Sequence, residues 1–149
     1  VNSQEIMFQM PEMDSIQVKI NKLNEDYSEI LENMQVELNT KYQDFQKNVS
    51  NYTPAIRQNK DRELQELQQR LEEFYSTAQQ EIAQTRDELF APVVEKAQNA
   101  IQKVGRDNGY AAVFDRAGGS LVYIDEKNPN MVDASQLVKN ELGIKDKVQ

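Results

Sequence analysis

Apolar residues recur every three or four positions over the first hundred residues, which is the period of one helix face. The first series is Ile20, Leu23, Tyr27, Ile30, Met34, Leu38, Tyr42, Phe45 and Val49. The second series is Leu64, Leu67, Leu71, Phe74, Ala78 and Ile82, and after one step of seven it continues with Leu89, Val93, Ala97, Ala100 and Val104. The pattern predicts two helices of roughly 55 Å and 75 Å, each with a narrow apolar stripe.

A turn at residues 50–54 separates the two series. Pro54 disfavours helix at the residue before it, and Thr53 is placed to cap the helix that Pro54 opens. Residues 11–104 are therefore predicted to form a long antiparallel helical hairpin, a coiled-coil-like arm with its tip near 50–54. A stripe this narrow must pair with the other helix, with another chain or with a client protein.

Prolines and glycines predict where the helices begin, bend and end. Pro11 suits the first turn of the first helix. The second helix is expected to end before Gly105, with a kink at Pro92 because proline removes a backbone hydrogen bond. The apolar spacing lengthens between Met34 and Tyr42, which favours a splayed or flexible hairpin over a uniform coiled coil.

The period changes after residue 105 and predicts a small β part. Residues 110–115 and 121–124 are typical of two strands of a hairpin, and residues 1–3 of the end of another strand. A final helix is predicted over 134–142, capped by Asp133 with Gln136 in a capping box and ended by Gly143.

Two or three strands make a marginal sheet alone, so their apolar faces need partners. Three chains that pool their strands into one body would provide them. The predicted fold class is mainly α with a small β part. The arm (11–104) would project from a β-rich trimerisation body (1–10 plus 105–149). The predicted body residues are Val113, Phe114, Leu121, Val122, Tyr123 and Ile124.

Composition excludes several classes of function. The chain has no Cys and no His, which removes thiol nucleophiles, zinc sites of the usual kind and histidine-based triads. The net charge of −8 argues against nucleic-acid binding. No spacing of carboxylates indicates an acid–base pair, so we expect no catalytic residue, no enzyme activity, no metal and no cofactor.

Two sets of arm residues are candidates for binding. Apolar side chains on arms this thin would partly face water, as a surface for unfolded protein requires. The candidate client-binding residues are Met34, Tyr42, Phe45, Tyr52 and Phe74. A basic arm tip consists of Lys47, Arg57, Lys60 and Arg62, and is either a solvated helix end or a contact for anionic lipid or an acidic client.

Several local strings and their order resemble one family. They are VNSQEI at 1–6, MPE at 10–12, LFAP at 89–92, GYAAVFD at 109–115, LVYID at 121–125 and DAS at 133–135. Together with the hairpin between them, they make the chain similar to the Skp (OmpH-type) periplasmic chaperones over nearly its whole length.

The resemblance implies a homotrimer with a β-barrel body and three helical arms around a cavity. It implies an ATP-independent periplasmic holdase for unfolded outer-membrane proteins, with a signal peptide removed. One departure is the acidic net charge, since the best-known members are basic. No basic cluster matches the lipopolysaccharide site of some members, so no such residues are carried over.

Three interpretations follow for the function. The first is the trimeric holdase, which would bind clients through many weak contacts. The alternative is a structural coiled-coil tether or scaffold with a dedicated protein partner. The weakest is contact between the arm tips and an anionic membrane surface, because the total charge is repulsive.

Overall fold

The computed structural model describes residues 1–119, 121–125 and 127–145. It is mostly helical (76%), which confirms the helical part of the predicted fold class. The helices are α1 (Ser3–Phe8), α2 (Pro11–Asn48), α3 (Pro54–Asp107) and α4 (Ser135–Glu141), with a 3₁₀ turn at Val49–Asn51. In the part of the chain so described, no helix is both long and apolar enough to cross a membrane.

The chain divides into two compact units. The terminal unit contains Val1–Val18 and Asp87–Gln149, and the hairpin unit contains Lys19–Arg86. The predicted division into a β-rich body and an arm is a statement about the assembled protein, and it stays a prediction.

The turn and the helix starts lie where the sequence placed them. α2 begins at Pro11 and α3 at Pro54. The Oγ1 atom of Thr53 accepts a hydrogen bond from the backbone N–H of Ile56 at 3.3 Å, so Thr53 caps α3 as predicted. α3 continues through Pro92, and the kink expected there stays a prediction.

The end of α3 corrects the sequence prediction. The helix passes through Gly105 and ends at Asp107. The N–H of Gly109 (φ +66°) bonds the Arg106 carbonyl at 3.1 Å, and the N–H of Tyr110 bonds the Gly105 carbonyl at 3.0 Å. This pair of bonds is a Schellman motif, so the stop glycine is Gly109.

Gly105 has a different role, which is to let two segments approach closely. It is buried, and a β-carbon built there would lie 3.2 Å from the Cγ2 atom of Val113. The absence of a side chain at Gly105 therefore allows the segment after α3 to fold back against the helix.

The final helix is present but starts one residue later than predicted. Its N-cap position is Ala134, and Asp133 instead accepts the N–H of Ser135 at 2.9 Å. The Gln136 amide donates to Asn140 at 3.2 Å. Gly143 (φ +69°) ends the helix as predicted.

The β part is not shown in the single chain: the described residues contain no strand, and no hairpin forms between 110–115 and 121–124. At the N-terminus, α1 begins at Ser3, so only Val1 remains of the strand expected at 1–3. The Val1 nitrogen bonds the Phe114 carbonyl at 3.1 Å, and the Arg116 N–H bonds the Val1 carbonyl at 2.9 Å. These two bonds have the pattern of a single parallel β-bridge.

The core of the terminal unit lies between α1, α4 and the parts of α2 and α3 that belong to this unit. Its buried side chains include Ile6, Met10, Ile16, Val93, Ala97, Ala100, Val104, Val138 and Ile144. Lys96 donates a hydrogen bond to Glu12, and Lys103 donates to Glu141 at 2.6 Å. α3 is thus joined to α2 and α4 by ion pairs at the edge of the apolar core.

The Schellman glycine gives a testable prediction. Gly109→Ala should lower the free energy of unfolding by about 1 kcal/mol, because alanine is strained at positive φ. Gly109→Asn should cost less, since asparagine tolerates that conformation. Chemical denaturation followed by circular dichroism measures both. Equal stability of the alanine variant and the wild type would contradict this assignment.

Candidate functional site

The two helices of the hairpin unit face each other along their apolar stripes. The rings of Tyr27 on α2 and Phe74 on α3 meet edge to face, with centroids 5.8 Å apart. The Tyr27 hydroxyl also donates a hydrogen bond to Glu81. Nearer the turn, Lys41 and Glu63 lie 4.0 Å apart. Because side chains of both helices already make these contacts, the stripe is partly occupied within one chain.

The five predicted client-binding residues do not share one environment. Met34 and Phe74 are half-buried between the helices. Phe45 and Tyr52 are half-buried as well and contact each other, with ring centroids 6.0 Å apart. Only Tyr42 is exposed, at 51%. Their role in client binding stays a prediction.

Other exposed apolar residues of the hairpin unit were missed by the sequence analysis. They are Val36, Ile56 and Tyr75. The apolar stripe predicted for α2 includes Ile30, which is 42% exposed, whereas Leu31 is half-buried. The spacing did hold a signal, since Tyr27, Leu31 and Met34 also follow the helical period.

The basic tip is less positive than its composition indicates. Lys60 lies 3.7 Å from Glu63. Arg62 lies 3.9 Å from Glu66 and donates to Asn59 at 2.8 Å. In residues 1–119, which contain the whole tip, Lys47 and Arg57 have no ion pair. Two of the four predicted cations are therefore free to meet an anionic partner.

A second candidate surface lies in the terminal unit. Val113, Leu121 and Ile124 are half-buried, whereas Phe114, Tyr123 and Val122 are exposed, Val122 completely (100%). An open cavity of about 670 Å³ lies beside them. Its lining is mostly apolar and includes Val1, Tyr110, Ala111, Ala112, Val113, Phe114, Ile124, Met131 and Val132.

The backbone N–H groups of two segments next to this cavity are unpaired. Among the described residues, no N–H of 111–115 or of 121–124 donates a hydrogen bond. Buried backbone N–H groups are almost always paired. The N–H groups of these segments must therefore donate hydrogen bonds to water or to another chain. Exposed apolar side chains together with free N–H groups are typical of a strand edge that lacks its neighbour.

Asp115 holds the N-terminal segment beside this surface. Its carboxylate accepts hydrogen bonds from the N–H and the hydroxyl of Ser3, and from the N–H of Ala117 at 3.0 Å. Partial burial acts to raise the pKa of Asp115, but these hydrogen bonds outweigh it, and the pKa lies below its usual value. The carboxylate is thus stabilised in its charged form.

Exposed apolar side chains are common to both surfaces. Within 1–119, 121–125 and 127–145, no three acidic side chains are grouped so as to hold a metal ion. Over its full length, the chain has no Cys and no His. Both surfaces expose apolar area, and exposed apolar area is typical of surfaces that bind other proteins.

Residues 1–142 match the family model described as Outer membrane protein (OmpH-like). The chain belongs to the OmpH-like family. No curated protein matches it. OmpH-like proteins are chaperones rather than enzymes, are associated with the periplasm and outer membrane, and bind outer-membrane proteins in general. Membership therefore supports a periplasmic chaperone-type role for this chain.

The Asp115 contacts predict a pH dependence. Because the folded pKa is lowered, the carboxylate contributes stability above about pH 4, the usual aspartate value, and loses it as pH falls through the folded pKa. Asp115→Asn should cost about 1 kcal/mol or less at pH 7 and a smaller amount at about pH 2.

Thermal unfolding at both pH values measures the effect. Asp87→Asn is the matched control, because Asp87 is exposed and has no hydrogen-bond or ion-pair partner among the described residues. A cost for Asp115→Asn that is the same at both pH values would show that the charge is not responsible.

Proposed function

We propose that the chain is an ATP-independent periplasmic holdase. It binds unfolded outer-membrane proteins and prevents their aggregation, and it works as a homotrimer. The observation that carries this proposal is the set of exposed apolar side chains on the two helices of the hairpin unit. Family membership supports the same class of function.

Trimer formation is supported by the unpaired surface of the terminal unit. Residues 111–115 and 121–124 have β-prone sequences, and none of their N–H groups donates within the described chain. Three copies that pool these segments would pair the N–H groups and bury side chains such as Phe114, Val122 and Tyr123. We propose that the small β part of the fold forms in this way, as the body of the assembly.

Client binding would then be shared among three arms. Each arm offers isolated apolar side chains, among them Tyr42 and Tyr75, rather than one continuous patch. Single contacts of this kind are weak, but several copies in one assembly give useful avidity without a fixed epitope. Release needs no nucleotide, because each contact dissociates on its own.

At the arm tip, Lys47 and Arg57 support at most a weak contact with an anionic membrane surface. Two cations attract an anionic bilayer by about 1 kcal/mol each, and the chain's net charge of −8 opposes them. Sedimentation with anionic liposomes at low salt tests this contact, and lack of binding there would remove it.

The proposed body makes a prediction about assembly. In the single chain Val122 is fully exposed, so Val122→Asp should leave a monomer unaffected. In the trimer it would place a charge in a buried sheet and should shift the protein from trimer to monomer. Sedimentation velocity measures the shift, and Asn128→Asp, which adds the same charge at an exposed loop, is the control. A wild-type monomer would refute the trimer outright.

The proposed activity is tested by light scattering. A urea-unfolded outer-membrane barrel protein is diluted into buffer, and one trimer per client should suppress aggregation without ATP. Tyr42→Ser with Tyr75→Ser should weaken this protection several-fold, as expected for loss of two apolar contacts per arm. The control is Gln43→Ser with Gln79→Ser, which changes exposed polar side chains on the same helices. No suppression at several-fold excess would favour the scaffold with a dedicated partner.

A further inference from the structure

The middle of the hairpin unit exposes apolar side chains among many carboxylates, in a part of α2 and a part of α3 that contain no cation of their own, although Lys22, just before the α2 part, pairs with Asp26. Val36 and Ile30 on α2 are 57% and 42% exposed, and Tyr75 on α3 is 54% exposed. Residues 23–40 and 71–85 contain no Lys or Arg. Their eight carboxylates are Glu25, Asp26, Glu29, Glu32, Glu37, Glu72, Glu73 and Glu81. We call these two segments the mid-hairpin surface.

The two segments belong to one surface, because side chains join them directly. Tyr27 of the first segment contacts Phe74 of the second and donates a hydrogen bond to Glu81. The exposed apolar groups on both helices therefore lie in the same negative field.

Three of the carboxylates around the apolar groups are available to a partner, whereas Asp26, Glu72, Glu73 and Glu81 already have partners within the chain. Glu32 and Glu29 precede Val36 by four and seven residues, so the three side chains share one helix face. Glu37 follows Ile30 by seven residues and shares its face. In the described part of the chain, Glu29, Glu32 and Glu37 have no hydrogen-bond or ion-pair partner.

We propose that the mid-hairpin surface selects unfolded segments that carry both apolar side chains and an excess of Lys or Arg. Charge complementarity identifies the occupant: an anionic segment would be repelled, while a cationic one gains attraction in addition to apolar contact. This inference rests on the proposed holdase function and names the class of client segment that the arms prefer. The free cations at the tip, Lys47 and Arg57, lie outside this surface, so the preference differs along the hairpin.

Binding of three synthetic unstructured peptides to the full-length protein tests the proposal. The peptides share their length and apolar residues, and carry Lys, Ser or Glu at the same five positions. Fluorescence anisotropy should show the Lys peptide binding tightest at low salt. Its affinity should fall roughly tenfold when the salt is raised from about 0.01 M to 0.15 M, because the Debye length shortens. Equal affinity for all three peptides would overturn the proposal.

Substitutions locate the preference. The triple variant Glu29→Gln, Glu32→Gln and Glu37→Gln should bind the Lys peptide several-fold more weakly than the wild type does. Its affinity for the Ser peptide should be unchanged. Asp14→Asn with Asp87→Asn and Glu95→Gln is the matched control, since it removes the same charge from exposed positions in the terminal unit. If the control variant lowers the affinity for the Lys peptide equally, the preference comes from net charge alone and the proposed surface is wrong. Circular dichroism checks that both variants remain helical.

The light-scattering assay separates failure of this inference from failure of the holdase function. Protection of an unfolded barrel protein without any peptide charge preference would refute only the mid-hairpin surface. Absence of both protection and peptide binding would refute the holdase and, with it, the surface. Replacing Glu29, Glu32 and Glu37 by Lys should reverse the preference toward the Glu peptide, and failure to reverse it would also count against the surface.

Discussion

Two helices that pair only with each other can bury one narrow stripe each, and this limit shapes the whole chain. In the hairpin unit, contacts such as Tyr27 with Phe74 use that stripe, and the remaining apolar side chains have no place to be buried. In an ordinary domain a third layer would cover them. Here their exposure is the property that a binding surface for unfolded protein needs, so the structural limitation and the proposed function have the same origin.

The sequence was sufficient for features that depend on neighbouring residues. The turn at Thr53 and Pro54 follows from proline sterics and one hydroxyl cap, and the structure has both. The sequence was insufficient where a segment distant in the chain determines the local structure or the burial of a side chain. Glycine often stops a helix, which predicts a stop at Gly105, but Gly105 lies inside the helix, where its lack of a side chain leaves room for Val113, and Gly109 ends the helix. Ile30 and Leu31 both fit the helical period, and only the opposite helix determines which is buried.

The β part shows a different limit of sequence analysis. Alternation of apolar residues at 110–115 and 121–124 is a real signal, but a strand exists only where a neighbour accepts its hydrogen bonds. In one copy of the chain these two segments do not pair with each other, and the N–H groups of 111–115 and 121–124 have no acceptor among the described residues. The alternation therefore predicts strands that a single copy of the chain need not form by itself. In the same way, the apolar side chains of the candidate sites need not be buried within a single copy.

The bridge between Val1 and the segment around Asp115 has a consequence for folding order. Its partners are 113 positions apart in sequence, whereas the helices and their turn form from local contacts. Closing so long a loop is entropically costly and slow, so this contact should form only after both long helices exist. The bridge leaves the N–H groups of 111–115 and 121–124 unpaired, so in the proposed trimer these edges would stay exposed until three chains meet, and aggregation would compete with assembly during that period.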